Sequence, residues 1–243
     1  MAENTQIEIS QKTADLLQKH KHPEESMDEF LQRLVGMILD EETQRRILII
    51  GPPAAGKSTI RRVFFEDGSP KTLIDSPLEP TRGIENYTYN WLDVTAGVVD
   101  SAGQEIERWL GLDSQMAFGE SDSIIFVIDV KKFQEYESQI LEDILSALEA
   151  KEKFAPKSQM NIFLHKTDLL PSESREEILG TMKRTINKYL EDHNRKKDMI
   201  LLKYYFTSIK GELILTLVKA MRAVLYSYSK IMRRALIPYS MRS

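Results

Sequence analysis

From residue 46 onward, short apolar runs alternate with longer stretches in which apolar residues recur every three or four positions. The runs over 46–50, 87–92, 96–100, 123–129, 161–165 and 201–207 read as strands. The periodic stretches over about 57–66, 130–154, 172–194 and 212–236 read as helices. This β–α order predicts an α/β fold, a mainly parallel six-stranded sheet with helices on both faces. Ahead of it lies a different texture. Gln6-Ile7-Glu8-Ile9 alternates like a half-buried strand. Ser10 is placed to cap a helix running to His20, and Lys21-His22-Pro23 breaks that helix. A second helix over 26–42 carries Phe30, Leu31, Leu34, Val35 and Ile38 at helical spacing. Ser26 and Glu29 form a capping box at its start. The change of pattern divides the chain into a strand-helix-helix module, residues 1–45, and a larger domain, residues 46–243.

Charge supports the same boundary. Residues 1–45 hold 5 Lys and Arg against 10 Asp and Glu, whereas residues 210–243 hold 7 against 1. The chain has no cysteine, which excludes disulfides, thiolate metal sites and catalytic thiols, and also prenyl and palmitoyl anchors. Ala2 cannot accept a myristoyl group. No signal peptide is legible, and the longest apolar runs are too short to span a bilayer. These features predict a soluble, cytoplasmic protein without integral membrane contact.

Chemistry concentrates after the first long apolar strand. Ile47-Leu48-Ile49-Ile50 runs into Gly51-Pro52-Pro53-Ala54-Ala55-Gly56-Lys57-Ser58, a G-x-x-x-x-G-K-S phosphate loop. Gly51 and Gly56 let the backbone curl, its amides turn inward as an anion cradle, and the next helix adds its positive end. Pro52 and Pro53 have no amide proton, so the cradle rests on Ala54, Ala55, Gly56, Lys57, Ser58 and Thr59. Lys57 brings charge to the β- and γ-phosphates, and Ser58 offers a hydroxyl to Mg²⁺.

Further along, Asp100-Ser101-Ala102-Gly103-Gln104 follows a strand. Beside a phosphate loop, Asp100 is placed to hold Mg²⁺, Gly103 to approach the γ-phosphate and Gln104 to orient an attacking water. An ordinary turn is the alternative. Thr81, in Pro80-Thr81-Arg82-Gly83, is a candidate to close on Mg²⁺ and the γ-phosphate, or equally a surface-turn residue. His165-Lys166-Thr167-Asp168 ends another apolar strand. A carboxylate there accepts the N1–H and N2–H₂ of guanine together and is mismatched to adenine, while Lys166 lays its stem over the base. The amides of Ser208 and Ile209, after the last strand, are positioned for guanine O6. The nucleotide expected is therefore GTP or GDP.

As a set, GPPAAGKST, EPTRGIE, VVDSAGQE, IIFVIDV, FLHKTDLL and FTSI resemble the motifs of Ras-superfamily small GTPases, with the Rag/Gtr branch the nearest likeness and Arf-like proteins second. His165 replaces the usual asparagine, as in Rag-type proteins. The resemblance covers about residues 46–240. It implies a P-loop NTPase G domain and a GTP-hydrolysing molecular switch, with effector, exchange and activating proteins as partners. Lys57, Thr81 and Gln104 would be its catalytic residues. Pro53 stands where Ras proteins have a glycine near the catalytic water, and no internal arginine precedes Thr81; Leu78 is there instead. Both departures imply slow hydrolysis aided by a partner, or a nucleotide-binding scaffold with little turnover. The Rag branch also carries a C-terminal roadblock domain for dimerisation, which these 243 residues do not include.

Residues 5–40 resemble archaeal ribbon-helix-helix modules of the antitoxin or repressor kind, through QIEIS, KTADLLQKH and EESMDEFLQRLV. Such modules pair their strands into a dimer that reads DNA. Here Glu8 and the local negative charge oppose phosphate contact, which favours a homodimer over DNA binding. A helical hairpin packed on its own G domain is the third possibility. At the other end, Lys219, Arg222, Lys230, Arg233 and Arg234 share a helix with Ile214, Leu217, Val218, Met221, Leu225 and Tyr228. This reads as the last helix of the domain, with weak attraction to an anionic membrane as the alternative.

Overall fold

The computed structural model describes residues 10–40, 45–76, 78–79, 81–91, 94–101 and 105–226. In chain order its elements are α1 (Gln11–His20), α2 (Met27–Asp40), β1 (Arg45–Ile50), α3 (Lys57–Phe65), α4 (Pro70–Asp75), β2 (Ile84–Trp91), β3 (Val94–Ser101), α5 (Ile106–Leu110), α6 (Ser114–Phe118), β4 (Ser123–Asp129), α7 (Glu137–Phe154), β5 (Gln159–His165), α8 (Arg175–Asp192), α9 (Lys196–Leu201), β6 (Lys203–Thr207) and α10 (Ile214–Tyr226). They fall into two compact units, of which one is Gln44–Leu225 and the other holds residues 10–40.

The expected six-stranded sheet forms in the larger unit, in the order β2-β3-β1-β4-β5-β6. Only β2 runs antiparallel to its neighbour, β3. Continuous apolar runs are what a sheet covered on both faces requires. β4 is buried at every position, and its side chains alternate. Ile124, Phe126 and Ile128 join a core with α7 and α8, whereas Ile125 and Val127 join another with α3 and α10. On α10, Leu217, Met221 and Leu225 are buried but Val218 points outward at 39% exposure. Residues 227–236 of that expected helix, and the expected strand at 6–9, lie outside the described residues.

Several boundaries differ from expectation by two residues or more, those of α7, β6 and β2 among them. α7 begins at Glu137 rather than 130, because the Asp129 carboxylate accepts the Lys131 amide and holds the chain in a turn. β6 begins at Lys203, after the short helix α9. β2 begins three residues earlier than the apolar pattern implied.

An unusual buried cation fixes β2 to α3. Arg61 is 2% exposed, donates to Tyr89 Oη at 2.8 Å and to Glu66, and lies 3.7 Å from the Tyr87 ring centroid. Tyr89 donates to Glu66 and stacks on Phe65. A guanidinium this deep persists only with its partners in place. Tyr89→Phe is expected to lower unfolding free energy in urea by about 1–2 kcal/mol, since it leaves a buried donor short of an acceptor. An unchanged midpoint would show that the hydroxyl does not hold the strand.

In the smaller unit the expected capping box is present: Ser26 N donates to Glu29 Oε2 at 2.7 Å, and Glu29 N to Ser26 Oγ at 3.2 Å. Arg33 grips Glu25 with two hydrogen bonds, which holds the Glu25 carboxyl down at about 2. Among the described residues no helix is long and apolar enough to cross a membrane.

Candidate functional site

Parallel register brings the carboxyl ends of five strands to one edge: Ile49 pairs with Asp100, Ile50 with Phe126, Asp129 with His165, and His165 with Thr207. Ligands of open α/β sheets bind at that edge. A cavity of about 490 Å³ lies there. Ala54, Gly56, Lys57, Ser58, Thr59, Thr81, His165, Lys166, Asp168 and Ile209 all line it. Segments more than a hundred residues apart in sequence thus share one wall.

The phosphate loop is built by conformations that its residues permit. Gly51 has φ of 144°, and a Cβ there would fall 2.3 Å from the Val127 carbonyl oxygen. Gly56 has φ of 106°, and a Cβ there would fall 2.7 Å from Cδ2 of His165. Gly56 therefore serves both the turn and the imidazole. Ala54 also takes a left-handed conformation, and Ala55 is buried behind the loop. Lys57, only 6% exposed, donates from Nζ to the carbonyls of Gly51 at 2.8 Å and Pro52 at 3.0 Å. Those bonds aim its charge across the mouth of the loop.

Two hydroxyls converge beyond Lys57. Ser58 Oγ and Thr81 Oγ1 are 2.9 Å apart. Adjacent ligands of an octahedral Mg²⁺ with bonds near 2.1 Å stand about 3 Å apart, so this pair fits a hard cation. The Asp100 backbone lies one residue before the end of β3, paired with Ile49 of β1. The Asp100 side chain, Gly103 and Gln104 lie outside the described residues.

At the other end, Lys166 takes a left-handed conformation with φ of 62°. Its Nζ donates to Asp129 Oδ2 at 2.7 Å and to the Ala54 carbonyl at 2.6 Å, bracing the end of β5 against the phosphate loop. Ser208 does not line the cavity, but its Oγ donates to Asp168 Oδ1 at 2.6 Å and accepts the Lys210 amide at 3.0 Å. This chain fixes the direction of the carboxylate. Asp129 and Thr207, and the wall formed by Leu73, Ile74, Leu78, Glu79 and Lys210, were not anticipated from sequence. Asp129 alone left a signal, an acid at the end of an apolar strand.

His165 is 1% exposed, and its Nδ1 lies 2.9 Å from Thr207 Oγ1. Burial, reinforced by the Lys166 charge, pushes the imidazole down to about 4. The ring is neutral in the folded protein at pH 7, whereas in the unfolded chain it titrates near 6.5. Its stability contribution is complete above 6.5 and is lost as pH falls toward 4, a change of about 3 kcal/mol. Urea unfolding of His165→Asn should show this part of the acid sensitivity removed. Identical pH slopes for both proteins would contradict a neutral buried ring.

Comparison with known proteins agrees with this arrangement. The conserved region of Gtr1/RagA G proteins matches residues 46–236, and a family of unknown function matches residues 4–46. The GTP-binding protein GTR1 of Saccharomyces cerevisiae is 24% identical over 155 residues, covering 61% of this chain and 48% of the relative. Ras-related GTP-binding protein A of Dictyostelium discoideum is 26% identical over 188 residues, 76% of this chain and 58% of the relative. Human Ras-related GTP-binding protein C is 28% identical over 170 residues, 70% and 41% respectively. The matches thus span about half the length of these relatives. A chain of the mammalian SRP receptor structure superposes with a TM-score of 0.54 at 16% identity, covering 74% of this chain and all of that one, a likeness of fold alone. With a G-protein region matched across most of its length, the chain belongs to the Gtr1/RagA family of the Ras superfamily.

Proposed function

We propose that the cavity binds GTP and GDP with Mg²⁺, and that the chain is a molecular switch that hydrolyses GTP slowly. The observation that carries this reading is the shared wall: phosphate-loop residues and the His165–Asp168 turn line one cavity of about 490 Å³. In this reading the amides of Ala54 to Thr59 and the Lys57 ammonium hold the phosphates. Ser58, Thr81 and Asp100 hold Mg²⁺, which neutralises charge on the phosphate oxygens. Asp168 accepts from guanine N1–H and N2–H₂, Lys166 covers the base, and the amides of Ser208 and Ile209 meet O6.

Gly103 approaches the γ-phosphate and Gln104 orients the water that attacks it. Inorganic phosphate leaves, and Thr81 and the 103–104 segment lose the oxygens that held them. Effector, exchange and activating proteins would read and drive this cycle. Residues 1–45 act in this proposal as a separate module that pairs two copies of the chain.

Pro53 favours a second reading, a nucleotide-binding scaffold with little turnover, because it lines the cavity and lacks an amide proton. Single-turnover phosphate release from GTP-loaded protein separates the two. The switch predicts release over minutes to hours and a loss of about tenfold or more on Gln104→Leu. Equal release by both proteins would sink the switch mechanism, and several turnovers per second would sink the slow one.

A further inference from the structure

Two links tie the segment that runs from Thr81 through β2 to α3. At the start of α3, Ser58 Oγ lies 2.9 Å from Thr81 Oγ1. One turn further along, the Arg61 guanidinium lies 3.7 Å from the Tyr87 ring centroid and donates to Tyr89 Oη at 2.8 Å. Glu66, just past the end of α3, accepts from both Arg61 and Tyr89. Glu85, Tyr87 and Tyr89 alternate along β2 and so share one face. Tyr87 Oη donates to Glu85, which carries the contacts up to the second residue of the strand. An unbroken series of polar and ring contacts thus runs from Glu66 through Arg61 to Glu85, four residues short of Thr81.

The sheet alone would hold this strand from one side. β2 is an edge strand, paired along its length with β3. Thr81 belongs to no helix or strand. Between Thr81 and β2 stands Gly83, with φ of 69° and open space where a Cβ would be. The chain can pivot there, about a strand that Arg61 holds against α3. A hydroxyl carried on a loose segment must be ordered each time it meets a ligand, and that entropy weakens the contact. Anchoring β2 to the helix that also carries Lys57 and Ser58 removes much of that cost.

We propose that Arg61 is a positioning residue: through Tyr87 and Tyr89 it fixes the base from which Thr81 reaches the nucleotide-bound cation. Arg61 does not line the cavity and acts only through β2. The proposal rests on the Mg²⁺ reading of Ser58 and Thr81, and adds what keeps Thr81 within reach.

The test is dissociation of a fluorescent mant derivative of GppNHp, a non-hydrolysable GTP analogue, from the 243-residue chain. Rates are read in excess Mg²⁺ and in EDTA, at a temperature where circular dichroism shows each variant folded. The variants are Tyr87→Leu with Tyr89→Phe, Thr81→Ala, and all three changes together. The tyrosine pair is expected to release the probe about tenfold faster in Mg²⁺, and within about twofold of wild type in EDTA, where no cation engages Thr81. On the Thr81→Ala background the same pair should add no more than about twofold, because its effect passes through Thr81. Equal acceleration in Mg²⁺ and EDTA, or full acceleration on the Thr81→Ala background, would reduce Arg61 to a structural residue and overturn the proposal. Wild-type release by the tyrosine pair, beside faster release by Thr81→Ala, would also overturn it while leaving the cation site standing. Wild-type release by Thr81→Ala in Mg²⁺ would overturn both.

Discussion

Asp168→Asn is expected to weaken GDP binding by about two to four orders of magnitude and to turn the preference toward xanthosine diphosphate. The carboxylate at the cavity wall would accept two hydrogen bonds from guanine, from N1–H and from the C2 amine. Hydrogen bonds to a charged acceptor contribute about 1.5–3 kcal/mol each, and about 1.4 kcal/mol is tenfold in affinity. An asparagine amide presents one acceptor and one donor, so its NH₂ faces the C2 amine of guanine and both groups lose a partner. Xanthine carries a carbonyl at C2, which restores the match. The protein has prepared this direction of approach: Ser208 Oγ holds Asp168 Oδ1 at 2.6 Å, and the Lys210 amide holds Ser208 in turn. Displacement of mant-GDP by GDP and by xanthosine diphosphate measures the effect on both proteins. A variant that keeps the guanine preference would remove Asp168 from base recognition.

Lys57→Ala is expected to reduce GTP affinity by about a thousandfold with little effect on the fold. The residue is 6% exposed, and its ammonium is fixed by the Gly51 and Pro52 carbonyls. Two charge-assisted bonds to phosphate oxygens in such a site account for a loss of this size. The two prolines sharpen the expectation. With no amide protons from Pro52 and Pro53, fewer backbone donors remain to compensate for the missing cation. Isothermal titration with GTP and Mg²⁺, beside a thermal melt of each protein, separates loss of binding from loss of structure. Near-normal affinity in a folded variant would show that the loop amides alone hold the phosphates.

The parts of this protein that were legible in its sequence are those written in contiguous residues. β1 and β4 were readable because a strand covered on both faces must be apolar throughout. The phosphate loop and the His165–Asp168 turn were readable because each is a short string whose spacing is set by backbone geometry. Pairings between strings were not. Lys166 with Asp129 and Asp168 with Ser208 join residues 37 and 40 apart, and only the register of β4, β5 and β6 brings them together. Gly56 was legible as a turn residue, but its fit against the His165 ring was not.

The misplaced elements have local causes. The start of α7 was masked because residues 130–136 contain apolar Val130 and Phe133, which are buried without being helical. There the Asp129 side chain competes for backbone donors. α4 escaped notice because a helix with no core face has no period to detect. Arg61 is the opposite case. An arginine on the phosphate-loop helix reads as a solvent-facing residue, yet Tyr87, Tyr89 and Glu66 enclose it. Only the placement of β2 alongside α3 shows that those partners exist.

The central claim is that this cavity is a guanine-nucleotide site, and the most direct measurement is competition at equilibrium. The 243-residue chain holding mant-GDP in the presence of Mg²⁺ is titrated with GTP, GDP and ATP. The site described here predicts that GTP and GDP displace the probe at comparable concentrations, while ATP fails even at about a hundredfold excess. Displacement by ATP as readily as by GTP would contradict it.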